Sequence, residues 1–170
     1  GKSYIPTEIA KLLPEEDVIE TGYCSPTAFF HDNGIWDKEN KKYTIDLSRK
    51  VLIFLDQPHT QLLERLRPLL SHDKKEIGIK ITDKSQKFGM KTKNIILRGF
   101  PSVIFCSAGL RIDEQEGTRF LLLSPETSQE KIREAIYEKI RKETNARVYN
   151  EQLNSDPRRK MLTERIRAIK

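Results

Sequence analysis

Two short stretches hold the residues best suited to chemistry: Gly1-Lys2-Ser3 and the acid Asp56. Gly-Lys-Ser is the end of a phosphate-loop motif, in which the lysine reaches β- and γ-phosphates and the hydroxyl helps hold Mg2+. Three residues are a short signal, and a tag remnant would read the same. Asp56 closes Val51-Leu52-Ile53-Phe54-Leu55, five consecutive apolar residues of the kind that form a strand buried on both faces. Pro58 cannot continue a central strand. A carboxylate at the carboxyl end of a buried parallel strand stands where open α/β sheets bind ligands. The plain alternative is a core strand followed by a helix-capping Asp.

The surrounding elements must position these groups. Ile5, Ile9, Leu12 and Leu13 predict an amphipathic helix over 4–13, which Pro14 ends. A strand and connection follow from Asp17 to Phe30, and Asp32-Asn33-Gly34 marks a turn. Trp36 through Lys42 is polar and reads as an exposed loop, and Tyr43 to Leu47 alternates toward the central strand. After that strand, Leu62, Leu63, Leu66, Leu69 and Leu70 predict a helix over 60–70. Ile77–Thr82 and Lys93–Arg98 read as strands of a hairpin whose turn is rich in lysine and contains Gly89. A solvated turn whose lysines guard a sheet edge is the plain alternative. Two more strands are expected at 102–106 and 119–123, the first followed by Ser107. Thr127 and Glu130 have capping-box spacing ahead of a helix over 128–142, and Pro157 precedes a basic terminal helix over 158–170. The strands at 51–55, 102–106 and 119–123 are expected in one parallel sheet covered by the helices at 4–13, 60–70 and 128–142.

The 170 residues suffice for one α/β domain, with 36% apolar and 33% charged residues. No apolar run approaches the roughly 18–20 residues of a membrane span. Cys24 and Cys106 are far apart and the three histidines lack metal-ligand spacing, so neither a disulfide framework nor a zinc site is expected. The start does not read as a signal peptide, and a cytoplasmic, nucleoid-associated or virus-associated, non-secreted protein is the expectation. Between 74 and 98, eight Lys and Arg stand against two acids, and from 127 onward twelve stand against seven. Charge concentrated in this way suits a polyanionic partner.

In order, these pieces are a Lys-Ser phosphate site, an apolar strand ending in Asp, a basic hairpin, a strand ending in Ser, and Thr118-Arg119-Phe120. The arrangement resembles the AAA+ ATPase motor core over roughly 1–142, and within it the hairpin-bearing superfamily 3 and minichromosome-maintenance-type helicases. The resemblance implies a three-layer P-loop core over 1–143 with an inserted hairpin, followed by a basic helical extension over 144–170. It assigns ATP to Gly1, Lys2 and Ser3, and Mg2+ to Ser3 and Asp56. Asp56 would end the Walker B strand, Ser107 would take the sensor 1 place, and Arg119 would be an arginine finger acting on a neighbouring subunit, with Arg111 the alternative. Lys84, Lys87, Lys91 and Lys93 would grip single-stranded or forked DNA in the pore of a hexameric ring.

Two departures bear on this. The glycine-rich loop and the strand before it do not precede Gly1, so the chain is expected to be a fragment or the ordered part of something longer. Gln57 stands where the family carries a catalytic glutamate. An amide can orient a water but cannot take its proton, so hydrolysis is slow, relies on another carboxylate, or is blocked to trap ATP. The implied function is an ATP-driven DNA helicase or translocase. The alternatives are a nucleic-acid-binding module without turnover and a protein-remodelling AAA+ ATPase.

Overall fold

The computed structural model describes residues 3–32, 34–83, 91–109, 114–124 and 126–169. Contacts divide the chain into two compact units, one of 1–10 with 15–121 and one of 11–14 with 122–170. No helix among the described residues is long and apolar enough to cross a membrane.

The first unit is α/β. The apolar run forms β4 (Val51–Phe54), with Leu52, Ile53 and Phe54 buried. It is the middle strand of a three-stranded parallel sheet, flanked by β1 (Val18–Thr21) and β7 (Ser102–Phe105). A second, four-stranded sheet has the order β2 (Ile35–Asp37), β3 (Lys42–Asp46), β6 (Lys91–Arg98), β5 (Glu76–Asp83). Strands β5 and β6 form the expected antiparallel hairpin, in register from Glu76↔Arg98 to Asp83↔Lys91. Strand β3 runs parallel to β6 and pairs it only from Ile95 to Arg98. Among the described residues, 80–83 and 91–94 therefore pair only with each other, a two-stranded arm about 13 Å long at ~3.3 Å per residue.

Before the first strand come α1 (Tyr4–Ala10), which stops three residues short of the expected end, and a 3-10 turn over Glu15–Asp17. Helix α2 (Ala28–Asp32) contributes Phe29 and Phe30 to the core. Helix α3 (Thr60–Leu70) adds the predicted leucines, of which Leu62, Leu66 and Leu69 are fully buried. These helices join Leu52 and Phe54 of one sheet with Ile45, Ile95 and Leu97 of the other in a single core.

The ladder of the second sheet runs one residue past its strands: Leu47 N–H donates to Arg98 O at 2.7 Å, and Gly99 N–H donates to Lys75 O at 2.8 Å. Gly99 has φ +95°, and a Cβ there would lie 2.4 Å from Ser48 N, so only glycine fits.

Two expectations fail in this unit. The loop expected over Trp36–Lys42 instead begins in β2, which pairs with β3 in a hairpin, Trp36 opposite Tyr43. The turn is held by Asp37, whose Oδ1 accepts the N–H groups of Glu39 and Asn40 and whose Oδ2 accepts the Asn40 amide at 2.8 Å. The strand expected at 119–123 does not form: Thr118–Phe120 is a turn, and Leu121 and Leu123 are 84% and 81% exposed. An apolar run becomes a strand only where a neighbour takes its backbone hydrogen bonds, and no described strand pairs with this one.

The second unit contains α5 (Gln129–Thr144), α6 (Ala146–Ser155) and α7 (Pro157–Ala168), none with a buried residue. The cap of α5 is Ser128 rather than Thr127, with its Oγ accepting from Lys131 N–H at 3.4 Å. Asp156 caps α7, and Pro157 takes its first position, where a missing N–H costs nothing. A short α4 (Glu114–Gly117) lies in the first unit, between β7 and the Thr118–Phe120 turn.

Candidate functional site

The parallel register fixes what gathers at the carboxyl end of the first sheet. Phe54 is level with Phe105, and the ladder continues past both strands, with Leu55 N–H on Thr21 O at 3.0 Å and Cys106 N–H on Phe54 O at 3.2 Å. Asp56 and Gln57 thus leave β4 beside the place where Ser107 leaves β7. The Ser107 hydroxyl and the Gln57 side-chain oxygen are 3.0 Å apart.

Ser107 Oγ is also 2.5 Å from Gly109 O and 3.3 Å from Gly109 N. A hydroxyl carries one proton, so it donates to Gly109 O or to Gln57, not to both. The shorter contact takes the proton. Its oxygen then accepts from Gly109 N–H and, with the amide turned over, from Gln57 Nε2–H. Amide orientation is assigned from such networks.

Asp56 is exposed, and its Oδ1 accepts the Gln57 N–H at 2.8 Å. Its other oxygen has no protein partner among the described residues. The expected alternative, Asp56 as helix cap, is not what the helix uses: His59 caps α3, its Nδ1 accepting from Gln61 N–H at 3.2 Å. One solvent-facing carboxylate suits Mg2+, which keeps several waters and takes few protein ligands. Among the described residues no three His, Cys, Asp or Glu are grouped to bind a metal by themselves.

The remaining predicted residues are distributed as follows. Ser3 is exposed just before α1, with its carbonyl accepting from Thr7 N–H at 3.2 Å and from the Thr7 hydroxyl. Gly1, Lys2, Lys84, Lys87 and Arg111 lie outside the described residues, and Lys91 is described as backbone alone, paired with Asp83. Arg119 is exposed in the turn that replaces the expected strand, and its Nε donates to Ser71 Oγ at 2.9 Å, beside the end of α3. Lys93 does not extend into solvent: its ammonium lies 3.4 Å from the centre of the Tyr43 ring.

Sequence reasoning missed this last group. Trp36 meets Tyr43 edge to face, with ring centres 4.9 Å apart, and is 47% exposed. A lone Trp in a polar stretch gives little warning; the one available signal was the Asp37-to-Asn40 turn, which implies that Ile35 and Trp36 pair back onto Tyr43. In the second unit, Lys11, Arg159, Lys160 and Arg167 border an open cavity of about 460 Å³ together with Glu164. It is a second basic surface, and its composition follows from the charge excess of the terminal helix.

No protein-family model, curated protein or solved structure matches this chain.

Proposed function

We propose that this chain is the core of an AAA+-type, Mg·ATP-dependent motor that moves along single-stranded DNA as a ring. The observation that carries the reading is the convergence of Asp56, Gln57 and Ser107 at the carboxyl ends of adjacent parallel strands, with Ser107 and Gln57 in hydrogen-bond contact at 3.0 Å. The sequence separates those two residues by fifty positions, and the register joins them. Strand ends of this kind are where open α/β sheets take their ligands.

On this reading Lys2 and Ser3 bind the nucleotide phosphates, and Asp56 with Ser3 holds Mg2+, which when bound neutralises charge on the phosphate oxygens. Ser107 positions the Gln57 amide, which orients the attacking water. Arg119 supplies positive charge to a neighbouring subunit's nucleotide. Lys84, Lys87, Lys91 and Lys93 grip the DNA backbone.

A second reading has one specific support. Gln57 cannot accept a proton, and a binding module that holds nucleic acid without turning over ATP would need no base at that place. ATP hydrolysis measured with and without single-stranded DNA separates the two. The motor hydrolyses ATP faster when DNA is added; the module binds DNA and shows no hydrolysis in either condition.

A further inference from the structure

The rim of the second sheet carries a surface that the nucleotide site does not use. Side chains alternate along a strand, so Trp36, Tyr43, Ile45, Lys93, Ile95 and Leu97 share one face of β2, β3 and β6. Ile45, Ile95 and Leu97 are buried in the core. Beside them on this face stand Tyr43, Lys93 and Trp36, only partly covered, while Ile81, opposite Lys93, still belongs to the core. The group at the rim is two aromatic rings and one ammonium, with no acid at these positions. The carboxylates nearest in sequence to Trp36 and Tyr43, Asp37 and Asp46, fall on the alternate face, and both are occupied; Asp83, opposite Lys91, shares the face of Lys93. Asp37 is held by Asn40 and the turn N–H groups, and Asp46 by Ser48.

A half-exposed tryptophan beside a cation has the chemistry that single-stranded nucleic acid binders use: a ring on which a base stacks and positive charge for the backbone. Lys93 stands beside that platform, its ammonium over Tyr43, whose ring meets Trp36 edge to face. Lys93 lies on β6, within the 74–98 segment where eight basic residues stand against two acids. We propose that Trp36 is a base-stacking platform for single-stranded nucleic acid, placed at the root of the basic arm and supported by Tyr43 and Lys93. The proposal rests on the reading of a nucleic acid as partner, and assigns the stacking contact to a residue outside the hairpin turn.

Trp36 is the only tryptophan, so intrinsic fluorescence reports on this position directly. The experiment titrates the protein with oligothymidylate and follows Trp36 emission and, separately, binding by anisotropy of a labelled strand. The expected result is saturable quenching at the concentrations where the strand binds. Stacking of one base on an aromatic ring implies a loss of about 5- to 150-fold in affinity for Trp36→Ala, with Trp36→Phe retaining most of it. The salt dependence of binding should be unchanged in Trp36→Ala, since no phosphate contact is lost, and should flatten when the hairpin lysines are neutralised. If Trp36→Ala binds as wild type while the lysine variant does not, this inference fails and the nucleic-acid reading stands. If the strand neither binds nor quenches, both fail. Quenching or a spectral shift that depends on protein concentration without DNA assigns the surface to a second copy instead, and also overturns the proposal.

Discussion

Gly99→Ala is the perturbation whose effect can be worked most fully from the geometry. Gly99 joins the end of β6 to β7, and so connects the hairpin sheet to the strand that carries Ser107. Its φ of +95° is strained for any residue with a Cβ, a cost of about 1–3 kcal/mol. The new methyl would also sit 2.4, 2.5 and 2.6 Å from Ser48 N, Oγ and Cα. Two of those atoms are backbone, so a rotamer change cannot relieve the clash, and overpacking adds roughly 1–3 kcal/mol. Reduced freedom of the unfolded chain returns about 0.4–1 kcal/mol. The net expectation is a loss of about 2–5 kcal/mol. With a urea slope of about 2 kcal/mol/M, the midpoint falls by roughly 1–2.5 M. Trp36 fluorescence follows the unfolding of the first unit alone, because the single tryptophan lies in it. Gly22→Ala is the control: nothing lies within 4 Å of its added Cβ, and the midpoint should hold or rise slightly. A Gly99→Ala midpoint within about 0.2 M of wild type would refute the close approach of Ser48 and Gly99 as described, at a slope of that size.

Three further outcomes are expected. Gln57→Glu should raise ATP turnover, with the Ser107 proton turning from Gly109 O to the new carboxylate, and Ser107→Ala should remove much of that gain; an unchanged rate in Gln57→Glu means that another group is the base. Arg119→Ala should still bind ATP yet lose about 10³–10⁵ in turnover, as loss of an arginine finger does in related chemistry, and mixing it with Asp56→Ala should restore activity if subunits share sites; no recovery in mixtures makes Arg119 a residue that only ties the turn to Ser71. Asp46 titrates below the ordinary carboxylate range because the Ser48 hydroxyl and N–H donate to it, with Arg98 and Lys50 adding positive charge, so its contribution to stability is full above about pH 4 and is lost as pH falls through the lowered value; denaturation at pH 2–5 should show that loss in wild type and a shallower one in Asp46→Asn.

How far the sequence could be read depended on what each element needs. Strand β4 was legible because five apolar residues in a row, ended by Asp and Pro, suit a buried strand, and α3 because its leucines recur at helical spacing. The run Leu121-Leu122-Leu123 looked equally apolar, but hydrophobicity does not say whether a pairing partner is at hand, and among the described residues none is. Strand β2 was missed for the opposite reason. It has three residues, too few for a period, and exists because Trp36 pairs with Tyr43. Thr127 and Ser128 are both competent caps, and only the path of the chain chooses between them. The candidate site was half legible. Asp56 announced itself by ending an apolar strand, whereas its nearness to Ser107 is a matter of strand order and register, reached in advance only through a family resemblance. The competition between Gln57 and Gly109 for one proton has no trace in the sequence.

The central claim is that Asp56, Gln57 and Ser107 form a working nucleotide site. The measurement that tests it most directly is Mg2+-dependent ATP hydrolysis by wild type and Asp56→Ala, with ATP binding followed in parallel by a fluorescent analogue. The account predicts Mg2+-dependent turnover in wild type, stimulated by single-stranded DNA, and its loss in Asp56→Ala at an unchanged fold as judged by Trp36 emission. Turnover that survives Asp56→Ala undiminished, or a wild-type protein that binds no ATP at all, would contradict it.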